Sequence, residues 1–346
     1  MSRWPDFFLV GAAKSGTTTL FHHLKDHPSV FMPNLKEPWF FSFHGAPDGH
    51  LCARDKGTII RDAERYLGLF ERARPHQITG EASPIYLYFY RRTVANMARL
   101  IDGHRRRRIL IILRNPVDRA VSHYRMLRQN GTERRPLAEA MRSSPSHGLV
   151  RRCPLFDYVA VGRYARQVEH YLENFDRVAV YLMDDLEADP AGLMRQVYEF
   201  LGVDVAFTPD LRRVYNTSRV RNGVEYRSGR AARLVRLMPH VYGEHRTWFG
   251  YVRSLLWQAK ENCTARRGDP SPASTAEDEE LQAASCRGFA EFYTEYARDI
   301  ERLEALIGRD LSRWQVCRVC GRNKIASGPN SAAIPRATSA HELVGR

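Results

Sequence analysis

The stretch that most constrains this chain is Phe7-Phe8-Leu9-Val10-Gly11-Ala12-Ala13-Lys14-Ser15-Gly16-Thr17-Thr18-Thr19-Leu20. Four consecutive apolar residues, then small residues and glycines, then an apolar-periodic run, predict a buried strand, a tight turn and a helix. A helix leaves the N–H groups of its first turn without intrahelical partners, and its dipole adds partial positive charge there. Lys14 adds a full positive charge, and Ser15, Thr17 and Thr18 add hydroxyls. Gly11 and Gly16 let backbone come close to a bound group. Such a turn suits an anion of the phosphate type.

The position of the lysine narrows the chemistry. A Walker loop has its lysine directly after the second glycine, whereas here Thr17 holds that place and Lys14 precedes Gly16 by two residues. A nucleoside triphosphatase also needs an acidic residue at the end of a later strand to hold magnesium. The best later strand, residues 108–113, runs instead into Arg114-Asn115-Pro116, so the expected ligand is an anion bound without metal. An ATP-dependent small-molecule kinase and a noncatalytic polyanion binder are the alternative readings.

The rest of the chain alternates strand and helix, which predicts a parallel α/β sheet. The expected fold is a P-loop-like three-layer sandwich, with a central sheet of about five strands flanked by helices and extra helices near the C-terminus. Strands are expected at residues 6–10, from 78 and at 109–113 and 177–182, with helices at 17–25, 58–73, 91–102, from Pro116, at 162–175, 190–201 and 281–307. Adjacent helical residues diverge, so His22 and His23 are read as packing or solvated side chains. Pro38 forces Glu37 out of the helical region, and Trp39, Phe40 and Phe41 place a carboxylate beside apolar rings. Desolvation raises the proton affinity of a carboxylate, which makes Glu37 a candidate general base. Glu81 and Ser83, where the strand from Ile78 runs into a loop, are weaker candidates. Asp184-Asp185 is read as helix capping and solvation, and residues 131–156 as an irregular acceptor-side loop.

Charge points to anionic partners: 53 lysines and arginines stand against 39 acidic residues, a formal net charge of +14. No recognised nucleic-acid reading motif accompanies that charge. Six scattered cysteines show no disulfide framework, and Cys317 and Cys320 form a single C-x-x-C pair, short of a zinc set. No apolar run approaches a membrane span, and the first strand begins too early for a signal peptide, so a cytoplasmic location is expected. One domain is expected over residues 1–314, with a helical insertion and flexible linker at 228–280 and a disordered tail at 315–346. The basic, aromatic segment 230–260 is a possible peripheral membrane contact or a cover over the acceptor cleft. Oligomeric state is left open.

Three motifs in order carry a family resemblance: Lys14-Ser15-Gly16-Thr17-Thr18, Lys36-Glu37-Pro38-Trp39-Phe40-Phe41, and Arg114-Asn115-Pro116-Val117-Asp118-Arg119-Ala120-Val121-Ser122-His123-Tyr124. Together they resemble the sulfotransferases that use 3′-phosphoadenosine 5′-phosphosulfate (PAPS), in particular bacterial enzymes related to the heparan sulfate sulfotransferase group. The resemblance implies that residues 14–18 bind the 5′-phosphosulfate and that Arg114 and Ser122 bind the 3′-phosphate. It implies Lys14 and Glu37 as the catalytic pair, Glu37 being the base. The late loop Asn216-Thr217-Ser218-Arg219-Val220-Arg221-Asn222-Gly223 is similar to the family's loop over the 3′-phosphate, which adds Arg221, Asn222 and Gly223 as donor contacts. The implied donor is PAPS, without metal, and the implied acceptor is a small molecule, a glycan or a lipid-linked glycan. The chain departs from the group at Trp39, where histidine or glutamine is usual, and at Ala82, where lysine is common.

Overall fold

The computed structural model describes residues 3–46, 59–129, 132–142, 156–211 and 292–316. The expectations for Arg221, Asn222, Gly223, the 228–280 insertion, the 230–260 segment, the six cysteines and the tail from residue 317 lie outside those residues.

Five strands form one sheet in the order β2-β3-β1-β4-β5, where β1 is Phe7–Gly11, β2 Val30–Phe31, β3 Ile78–Ala82, β4 Arg108–Leu113 and β5 Arg177–Leu182. Every pairing is parallel, with Phe7 opposite Gly80 on one side and Arg108 on the other. A sheet covered on both faces needs apolar residues at every position of its central strands, and β1 is buried throughout. Alternation then divides the core into two. Phe8, Val10, Ile109 and Ile111 join one cluster, while Phe7, Leu9, Leu110 and Ile112 join the other.

The second cluster is covered by α1 (Thr17–Asp26), through Leu20 and Leu24, and by the helix Pro190–Leu201, through Leu193, Met194, Val197 and Leu201. The first is covered by Tyr90–Leu100, Pro116–Gln129, Ala165–Asn174 and a helix over 292–307. The expected three layers are therefore present. Several boundaries moved for local reasons. The predicted helix at 58–73 is only Ala63–Gly68, because the Asp62 side chain accepts from the Arg65 amide and caps it there, and the Ile60 amide is spent on the Pro38 carbonyl. Within the expected irregular loop 131–156, the described residues 132–142 hold a short helix, Leu137–Met141, and Glu133 is buried against Arg135 and the Tyr158 hydroxyl.

Because β1 is central, with β3 on one side and β4 on the other, the order in which strands are added switches from one side of the sheet to the other at β1, while every strand keeps the same direction. Loops leaving the carboxyl ends of strands diverge at such a switch point and leave a crevice. The three loops that meet there follow β1, β3 and β4, and they carry Lys14, Ser83 and Arg114. The C-terminal segment fastens this edge. The Asn115 side chain donates to the Trp314 carbonyl at 2.8 Å, the Trp314 indole donates to Asp184 at 3.1 Å, and Arg309 makes a forked pair with Asp185, its shortest contact 2.8 Å. Asp185 accepts from the Leu182 amide at the start of its own short helix, Met183–Ala188, whereas the helix from Pro190, which this pair was expected to cap, is capped by Asp189 through the Gly192 amide. Trp314 and Arg309 take the place of the expected solvation.

Candidate active site

The loop after β1 is shaped by two left-handed residues, Lys14 at φ +71° and Gly16 at φ +88°. Gly16 immediately precedes α1, and a side chain there would meet the Leu186 methyl at 2.9 Å as well as strain the backbone. Gly11 has a different reason from the one expected. It closes β1, and a Cβ on it would lie 2.5 Å from that of Leu87, so it accommodates packing rather than a bound group. Ser15 is fully buried; its Oγ makes no hydrogen bond of regular geometry, although the Tyr164 hydroxyl stands beside it. Thr17 is buried and Thr18 half-buried in the first turn of α1. The Ala12 and Ser15 amides are spent on the Ile112 and Ala12 carbonyls, at 2.7 and 3.3 Å; a hydroxyl held at the N-terminal end of α1 suits an anion's oxygens.

Arg114 and Ser122 reach the same loop from β4 and the helix after it. An Arg114 Nη1 donates to the Lys14 carbonyl at 3.4 Å, so the guanidinium sits directly beside the turn. Pro116 opens the helix, and the Asn115 side chain caps it by accepting from Val117 and Asp118. Met126 lies one turn beyond Ser122, and its sulfur is 3.5 Å from Lys14 Nζ. Residues four apart share a helix face, so the half-buried Ser122 belongs to the side turned toward Lys14. Arg119, by contrast, is fully buried, with Nη1 3.3 Å from His123 Nδ1 and Nη2 donating to the Tyr158 carbonyl at 2.5 Å.

Glu37 enters from the far side of β1, on a loop bound to β3. Both Glu37 and Trp39 are left-handed, at φ +64° and +57°, an uncommon conformation for residues with side chains. The loop is held by its amides: Glu37 donates to the Ala82 carbonyl at 3.0 Å, Trp39 to Ser83 Oγ at 3.3 Å, and Phe41 to Tyr86 Oη at 3.2 Å. The Glu37 carboxylate is 37% exposed, with Lys36 Nζ 2.6 Å from one oxygen and the Trp39 indole donating to the other at 3.4 Å. Burial pushes its proton affinity up, yet the Lys36 ammonium, the Trp39 N–H and the charge of Lys14 outweigh it and hold the carboxyl below the ordinary range. Sequence reasoning expected desolvation to decide here, and the neighbouring cations decide instead. Trp39, unusual at its position, supplies a hydrogen bond to the carboxylate.

The expected residues on the described part of the chain thus come together. Lys14, Ser15, Gly16, Thr17 and Thr18 form the turn, Arg114 and Ser122 flank it, and Glu37 faces it closely enough to feel the Lys14 charge. His23 is buried as packing. His22 is driven down to about 4 by burial and the nearby Lys25 and Lys36 charges, which leaves it neutral near pH 7. Lys36, Tyr66 and Tyr86 were missed. The Lys36-Glu37 adjacency was the available signal for the first; the tyrosines read only as members of apolar patterns.

The sulfotransferase domain profile matches residues 4–222. Human heparan sulfate glucosamine 3-O-sulfotransferase 3B1 is 28% identical over 201 residues, 58% of this chain and 46% of that protein. Mouse heparan sulfate glucosamine 3-O-sulfotransferase 6 is 29% identical over 204 residues, 58% of this chain and 53% of that protein. The chain matches about half the length of these curated relatives. A solved sulfotransferase from Alicyclobacillus acidocaldarius has a TM-score of 0.61 and 31% identity, over 90% of this chain and 99% of that one.

Proposed function

Since the chain belongs to the sulfotransferase family, we propose that it moves a sulfuryl group from PAPS to a hydroxyl or amine of a glycan, glycolipid or secondary metabolite. The observation that carries this reading is the convergence of Lys14, with its anion turn, and Glu37 at the switch point of the sheet. The donor supplies an activated sulfuryl group; the chain's residues supply position and charge. The turn amides and Ser15 orient the phosphosulfate, while Arg114 offers a planar fork and Ser122 a hydroxyl to the 3′-phosphate. Arg221, Asn222 and Gly223 are proposed to add to that contact.

In the transfer, a bond forms from the acceptor oxygen or nitrogen to sulfur as the bond from sulfur to the bridging phosphate oxygen breaks. Glu37 takes the acceptor's proton, and Lys14 stabilises the charge that appears on the departing oxygen. The Lys36 pair keeps Glu37 ionised at neutral pH, at the cost of low basicity. Transfer of label from radioactive PAPS tests the assignment. Both Lys14→Ala and Glu37→Ala should be severely impaired, and unaltered turnover in both would reject these roles. Mass spectrometry for the gain of one sulfate in cell extracts, with and without the gene, would identify the acceptor.

A further inference from the structure

The strand end beneath Glu37 holds a second carboxyl, Glu81, which is fully buried and therefore out of an acceptor's reach. Its Oε2 accepts hydrogen bonds from the Tyr66 and Tyr86 hydroxyls, each at 2.9 Å. The Ser83 hydroxyl also acts on the carboxyl, although Oε1 has no hydrogen bond of regular geometry. Tyr86 and Ser83 are the two hydroxyls that receive amides from the Glu37 loop, those of Phe41 and Trp39. A phenol has a single hydrogen. Once Tyr86 gives it to Glu81, a lone pair is left for the Phe41 amide, and the direction of that hydrogen bond is set. Ser83 is disposed in the same sense toward Trp39.

We propose that Glu81 is a positioning residue for the Glu37 carboxylate: by orienting the Tyr86 and Ser83 hydroxyls as acceptors, it holds the Glu37-Trp39 loop in its left-handed conformation. This rests on the reading of Glu37 as the base. The loop has good reason to need such a hold. Two residues with side chains sit at positive φ, and backbone in that region persists only where surrounding contacts over-determine it. Displacing a catalytic group by about 1 Å costs on the order of 100-fold in rate, so loosening these anchors should appear in turnover rather than in donor binding.

The test is sulfuryl transfer by the full chain, with kcat and donor KM measured for Glu81→Gln and for the Ser83→Ala/Tyr86→Phe double variant, each alone and in a Glu37→Ala background. Both should lower kcat about tenfold with donor KM unchanged, and neither should lower it further when Glu37 is already gone. Wild-type kcat in both, or an equal loss in both backgrounds, would overturn the positioning role. If Glu81→Gln does not fold, the hydroxyl variant, which keeps the rings and the carboxyl, decides alone. Full turnover in Glu37→Ala would instead bring down the base assignment, and this role with it.

Discussion

Glu37 and Glu81 are the same functional group on neighbouring pieces of backbone, and their surroundings drive them in opposite directions. Glu37 is partly open to solvent, paired with Lys36 and close to Lys14, and its carboxyl is held below the ordinary range. Glu81 is sealed from water, faces hydroxyls rather than cations, and is raised by burial to about 7. The three hydroxyls around Glu81 favour its charged form without overcoming its desolvation. A carboxylate that must stay charged and exchange protons with a ligand needs cations and an opening. One that must hold backbone in place can be buried and half-neutral.

The sharpest way to break that contrast is to remove each carboxyl in turn. Glu37→Ala should lower turnover about 10²- to 10⁴-fold, the usual range for a lost general base, against about tenfold for Glu81→Gln. The reverse order would exchange the roles. Lys14→Ala should cost about 10²- to 10³-fold, the range for losing one electrostatic contact to a charge that develops in the transition state. Its loss should persist in the Glu81→Gln background, because the two act on different sides of the reacting centre; assay of the double variant checks this.

Protonation sharpens the comparison further. The raised value of Glu81 means that the native state binds more protons than the unfolded state between pH 4.5 and about 7. Its stabilising contribution is therefore complete below pH 4.5 and is lost as pH rises through 7, about 3 kcal/mol at most. Urea unfolding across that window should show a pH slope in the wild type that Glu81→Gln flattens. For Glu37 the sign is opposite: the ionised form is favoured, and the acid limb of kcat should lie below pH 4.5. Lys36→Met leaves burial to dominate, so that limb should move upward in a pH–rate profile. A limb already near 7 in the wild type would point to Glu81 instead.

How much of this could be read beforehand differs between the two carboxyls. Glu37 stood out because a proline and three aromatic residues surround it in sequence. Its proton affinity was misjudged, because the following rings were weighed above the adjacent Lys36, and because Lys14, 23 positions away, reaches it only in space. Glu81 was only a weak candidate, as nothing adjacent to it in sequence shows that Tyr66 meets it from another element. The Asp184-Asp185 pair shows the same limit. The helix from Pro190 was legible, but Asp189 rather than this pair caps it, and the partners of Asp185 and Asp184, Arg309 and Trp314, lie 124 and 130 positions away.

Sequence alone determined the alternating parallel architecture, the tight turn between the first strand and its helix, and the placement of Arg114 at the end of another strand. Each of these follows from apolar runs, from short-range steric rules at glycine and proline, and from charge within a few residues. Only the tertiary structure decided the strand order that brings those loops to one crevice, the left-handed backbone at Glu37 and Trp39, and the contrasting protonation of the two carboxyls. Those depend on burial and, apart from Lys36 beside Glu37, on groups brought close by folding, and separation along the chain carries no record of either.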